Sequence, residues 1–76
     1  MKALIETMAR ALVDYPEDVE VVAFDEGNTT TLELRVAQED LGKVIGRRGR
    51  TASAMRSILA ASAVRTDTRA VLEILD

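Results

Sequence analysis

A chain of 76 residues is expected to form one domain, residues 1–76, with a modest core, because so short a chain buries a limited fraction of its surface. It contains no cysteine and no histidine, which excludes disulfides, thiolate metal sites, the usual general base near neutral pH and every Ser/His or Cys/His nucleophile. The net charge of −3 hides a division: Leu41 to Thr66 holds no acid but carries Lys43, Arg47, Arg48, Arg50, Arg56 and Arg65, while all thirteen acids lie outside it.

The opening MKALIETMARALV is interrupted by Glu6 and Arg10 and lacks the apolar stretch of a secretory leader. It reads as a helix in which Ile5, Met8, Ala9 and Leu12 form one buried face, with Glu6 and Arg10 paired on the surface. Pro16 ends it, since the residue before proline avoids helical angles. Strands follow in DVEVVAFDE and TTTLELRV, rich in β-branched residues, with Leu32, Leu34 and Val36 alternating against Thr31, Glu33 and Arg35. Gly27-Asn28 between them suits a tight hairpin. A short helix is expected from about Glu39, with Gly42 inside it as a packing contact and Gly46 closing it in the left-handed conformation. A long alanine-rich helix runs from Arg50 to about Val64, with Ala52, Met55, Leu59 and Ala63 on one stripe. RAVLEIL then gives the third strand. No apolar run approaches the roughly 20 residues that cross a bilayer, so no membrane association is expected.

The order αββααβ constrains the topology. A strand, two helices and a strand make a crossover that is almost always right-handed and sets the two strands parallel. The second strand then lies in the middle, with the first antiparallel beside it and the helices covering one face. Thr31, Glu33, Arg35 and Glu73 are expected on the open face.

The stretch GKVIGRRGRTA, Gly42 to Ala52, concentrates positive charge around glycines. Gly46 and Gly49 bracket a two-residue loop between two helices, where glycine permits positive φ and close approach of another backbone. Arg47 and Arg48 project outward, and the N-terminus of the long helix faces the same spot, a combination suited to phosphate. A GxxG string alone is weak: at about 7% glycine, roughly one chain in three of this length has one by chance. A Walker loop would need Lys-Ser or Lys-Thr after its last glycine, and a dinucleotide fingerprint a different glycine spacing.

VIGRRGRTASAMRSIL, set after αββ and before a final strand, resembles the GxxG region of a type II KH domain. The chain length and the GRTA continuation resemble more narrowly the KhpA-like small bacterial RNA-binding proteins. Where the general KH pattern often carries a bulky aliphatic, this sequence has Ala52. The resemblance implies a type II KH-like α+β fold with a three-stranded mixed sheet, in a non-catalytic cytoplasmic protein. It implies single-stranded RNA clamped over about four nucleotides, in an RNA chaperone or post-transcriptional regulator without cofactor. The expected RNA-binding residues are Lys43, Ile45, Gly46, Arg47, Arg48, Gly49 and Arg50, the arginines for phosphate and Ile45 as an apolar platform. Arg56 is expected either solvated or at the RNA. Aromatics are nearly absent, so stacking platforms are not on offer. The same charge also suits an interaction module docking an acidic partner. Ala54, Ile58, Ala61 and Arg65 form a second stripe suited to another helix, and the resemblance implies a homodimer or a heterodimer with a KhpB-like KH protein.

Overall fold

Apolar spacing is translated into the elements of the computed structural model, which describes residues 1–76. Helix α1 spans Lys2–Leu12, strands β1 and β2 span Glu20–Glu26 and Thr29–Arg35, helices α2 and α3 span Leu41–Ile45 and Arg50–Arg65, and strand β3 spans Arg69–Leu75. Single 3-10 turns at Pro16–Asp18, Gln38–Asp40 and Arg47–Gly49 tighten three of the connections.

The sheet order is β1-β2-β3, with β1 antiparallel and β3 parallel to β2. Glu26 pairs with Thr29, so Gly27-Asn28 is the whole hairpin loop, and Gly27 supplies the positive φ of +60° that the turn needs. Ile5 and Ala9 from α1, Val21, Leu32, Leu34 and Leu72 from the sheet, Val44 from α2, and Met55 and Leu59 from α3 meet in one core. Ala52 and Ala63 are buried as well, so the whole expected stripe of α3 faces inward. Ile5, Leu32, Leu34, Leu59 and Val44 are fully buried, each contributing roughly 1.5–3 kcal/mol.

Three expectations are corrected. Leu12 closes α1 at 40% exposure and leans into a groove between α1 and α3. Glu6 and Arg10 form no ion pair, because an exposed pair gains too little to hold two long side chains in one geometry. The short helix begins at Leu41 instead of Glu39, since Gln38–Asp40 form a 3-10 turn that sends the Asp40 carboxylate inward.

That carboxylate is fully buried and accepts hydrogen bonds from the N–H groups of Asp14 (3.1 Å) and Tyr15 (3.0 Å). It pins the chain leaving α1 to the start of α2. On the open sheet face, strand alternation puts Val22, Phe24 and Val71 beside Thr31, Glu33 and Glu73, and these three apolar residues are exposed.

Candidate nucleic-acid interface

Four residues separate α2 from α3, and the chain must reverse within them. Gly46 N–H closes α2 on the Gly42 carbonyl at 2.8 Å. Gly46 itself has φ 77° and ψ 169°, a region essentially confined to glycine. It is therefore extended, and the left-handed conformation expected there falls on Arg48 (φ 58°, ψ 26°) and Gly49 (φ 72°, ψ 15°). The reversal needs the chain to swing outward at Gly46 before it tightens into the 3-10 turn. Gly49 N–H then bonds the Gly46 carbonyl at 3.0 Å.

The two glycines serve different ends. A Cβ on Gly46 would fall on the Thr51 hydroxyl, 2.7 Å from Thr51 Cβ and 2.8 Å from its backbone N, so Gly46 is what seats the loop on the first turn of α3. A Cβ on Gly49 would meet nothing within 4 Å. Only its φ requires glycine, and the space around it is open.

Arg47, Arg48 and Arg50 are exposed and make no ion pair or side-chain hydrogen bond. Three uncompensated cations thus crowd the N-terminal end of a 16-residue helix whose first turn holds no acid. The helix end adds roughly half a positive charge of its own. Ile45 is 38% exposed beside them, whereas Val44 is fully buried. Ala52, in the first turn of α3, is buried at 4% exposure.

Other basic residues are differently employed. Lys43 Nζ lies 3.1 Å from the Asp14 carboxylate and 3.3 Å from that of Asp40, so it is neutralised locally and does not extend the free field of the loop. Its pKa is raised by the hydrogen bonds to Asp14 and Asp40 against the opposing effect of burial. For Asp40, burial pushes the pKa up, but the two backbone N–H donors and Lys43 outweigh it and leave the pKa lowered. Arg56 is exposed, and its Nε and Nη2 both donate to the Leu72 carbonyl at 3.3 Å. Gly42 is no packing contact, since a Cβ there would meet nothing within 4 Å.

The Asp40–Lys43 spacing of i, i+3 was a readable signal for the pair, but the backbone donors 25 and 26 residues away were not. No cluster of three His, Cys, Asp or Glu side chains converges on a metal-binding geometry. No helix is long and apolar enough to cross a membrane.

The αββααβ order, the mixed sheet with β3 parallel to β2, and the GxxG turn between α2 and α3 define a KH-type fold. The sequence model of the KhpA/KhpB KH domain matches residues 2–74. A protein of Halalkalibacterium halodurans named RNA-binding protein KhpA is 49% identical over 76 residues, all of both chains. Proteins of the same name from Treponema pallidum and Aquifex aeolicus are 52% and 43% identical. The first match covers 96% of this chain and 91% of the relative, the second 100% and 96%. The chain belongs to the KhpA/KhpB KH-domain family.

Proposed function

We propose that the chain is a non-catalytic, cytoplasmic single-stranded RNA-binding protein whose Gly46–Gly49 turn clamps the phosphate backbone, in the role of an RNA chaperone or post-transcriptional regulator. The observation that supports this best is the set of three unpaired arginines on a glycine-shaped turn at the N-terminus of α3. The relatives named above are RNA-binding proteins by name, which favours RNA over other polyanions. In this reading Arg47, Arg48 and Arg50 hold phosphates, Gly49 lets the strand approach, Gly46 shapes the turn and Ile45 offers an apolar surface to a base. Lys43 acts from behind, holding α2 to the α1–β1 connection.

A single site over about four nucleotides binds weakly, and useful affinity follows when a second site is held nearby. We place such pairing, with a second copy or a KhpB-like KH protein, on the stripe of Ala54, Ile58 and Ala61. Ile58 is 48% exposed and lines, with Met8 and Leu12, the apolar groove between α1 and α3.

Titration of a short single-stranded RNA in competition with heparin tests the function. RNA-specific binding predicts that heparin of equal charge competes poorly. It also predicts that affinity falls with salt at a slope of about 2, three phosphates at ~0.7 each on a single strand. Equal displacement by heparin would favour the acidic-partner module instead.

A further inference from the structure

Helices cover the sheet on one face only. Val21, Leu32, Leu34 and Leu72 point into the core, so the residues that alternate with them point to the open side. Two rows cross that side: Phe24, Thr31 and Val71 lie opposite one another in the first, and Val22, Glu33 and Glu73 in the second. A sheet face turned to water is ordinarily polar. Here Val22 is 39% exposed, Val71 39% and Phe24, the chain's one phenylalanine, 52%. The second row sets Glu33 directly against Glu73 on the neighbouring strand, and neither carboxylate meets a cation. Like charges so placed destabilise a sheet. Of the two arginines on this face, Arg35 is held by Glu20 at 3.9 Å. Arg69 lies four residues from Glu73 along β3, about 13 Å at ~3.3 Å per residue. An apolar row thus lies beside a row of uncompensated negative charge.

We propose that this open face docks a short basic amphipathic helix of a protein partner, its apolar stripe on Val22, Phe24 and Val71 and its Lys or Arg side chains on Glu33 and Glu73. The dimensions select a helix. With strands about 4.8 Å apart, the outer two of the three are separated by about 10 Å, close to the width of one helix. Seven residues per strand run to about 23 Å, the length of about 15 helical residues. A strand has no use for this face, because backbone pairing takes place at sheet edges. A footprint of a few hundred Å² also falls short of the roughly 800 Å² that each folded partner gives to a stable interface, so a segment suits it better than a globular domain. A second copy laid face to face would set Glu33 and Glu73 against their own kind, and a nucleic acid would meet the same carboxylates. A basic helix instead relieves the Glu33–Glu73 repulsion as it covers the apolar row. The face lies across the sheet from the groove between α1 and α3, so both can be occupied at once.

The test titrates the full isotope-labelled chain, followed by two-dimensional NMR, with a synthetic peptide of about 15 residues in which leucines form one helical face and lysines the other. Amide shifts are expected at Val22, Phe24, Thr31, Glu33, Val71 and Glu73, saturating together. An all-lysine peptide of the same length should bind at least about tenfold more weakly, since it has nothing to bury on the apolar row. A leucine–glutamate peptide should leave these amides unmoved. Both comparisons use the wild-type protein and are independent of any variant's folding. Phe24→Ser, which removes apolar area and no charge, should weaken the leucine–lysine peptide about fivefold. Glu33→Gln/Glu73→Gln should weaken it about threefold, within what two exposed ion pairs supply, and remove most of its salt dependence. No shift at millimolar peptide, shifts confined to the groove between α1 and α3, or equal binding of the all-lysine peptide overturns the proposal. Unchanged affinity in both variants overturns it as well. Shifts of the same amides with protein concentration alone would give the face to a second copy, and shifts with single-stranded RNA would give it to nucleic acid; either result overturns the assignment.

Discussion

Gly46 and Gly49 share a motif but answer to different constraints, and substitution separates them. Gly46→Ala carries backbone strain of about 1–3 kcal/mol and in addition drives a methyl group into the Thr51 backbone, which cannot rotate away. Gly49→Ala carries only the left-handed penalty of about 1–2 kcal/mol, with open space for its methyl. Urea unfolding should therefore rank Gly46→Ala as the more damaging of the two. Arg48 is a non-glycine residue at φ 58° and bears the same left-handed penalty. Arg48→Gly should leave stability unchanged or raise it by up to about 1 kcal/mol, the relief being partly offset by glycine's greater unfolded entropy. RNA affinity should fall in the same variant, so stability and binding would move apart.

Asp40 is the residue whose charge state the fold depends on. Its pKa is lowered from the ordinary 3.8, so its contribution is present above the unfolded value and lost as pH falls through the folded one. Thermal unfolding followed from pH 7 down to pH 3 should show a drop in Tm below about pH 4. Asp40→Asn should start from a lower Tm and flatten that drop. For Lys43 the sign is opposite: its pKa is raised from 10.5, so its contribution persists below that value and is lost only as pH rises above it.

At the scale of elements, what the sequence made legible was periodic. The α3 stripe of Ala52, Met55, Leu59 and Ala63 is buried as its spacing predicts, and strand β3 coincides with RAVLEIL. Contacts between residues far apart in the chain were not legible. Asp40 meets backbone donors 25 and 26 residues away, and Arg56 meets a carbonyl 16 residues away. Backbone N–H and C=O groups carry no residue-type signature, so no motif announces such bonds. The turn was half legible: glycine marked where positive φ was needed, but the seat of Gly46 on Thr51 emerges only once α3 is folded. The groove between α1 and α3 was not legible either, because Leu12 matches the core spacing yet is left 40% exposed along that groove. If Ile58 mediates pairing, Ile58→Glu should reduce the mass seen by light scattering at high micromolar concentration toward that of a monomer. Stability should shift by only about 0.5 kcal/mol, since the residue is exposed. A monomeric wild type, with no change in the variant, would remove this surface.

At the scale of the molecule, charge is segregated along the chain, and in space that segregation is kept at the loop. Lys43, within the basic window, turns to Asp14 and Asp40, while Arg47, Arg48 and Arg50 remain unpaired at one end of α3. A polyanion approaching an acidic protein would be repelled over most of the surface and held at this corner, within a screening length of about 10 Å at 0.1 M salt. The central claim is that these arginines hold phosphate, and Arg47→Asp/Arg48→Asp tests it most directly. The double change turns a local +2 into −2 and leaves Gly46 and Gly49 in place. Circular dichroism should report an unchanged fold, and affinity for single-stranded RNA should fall at least about tenfold, equivalent to 1.4 kcal/mol. A folded double variant that binds single-stranded RNA as tightly as the wild type would contradict the account.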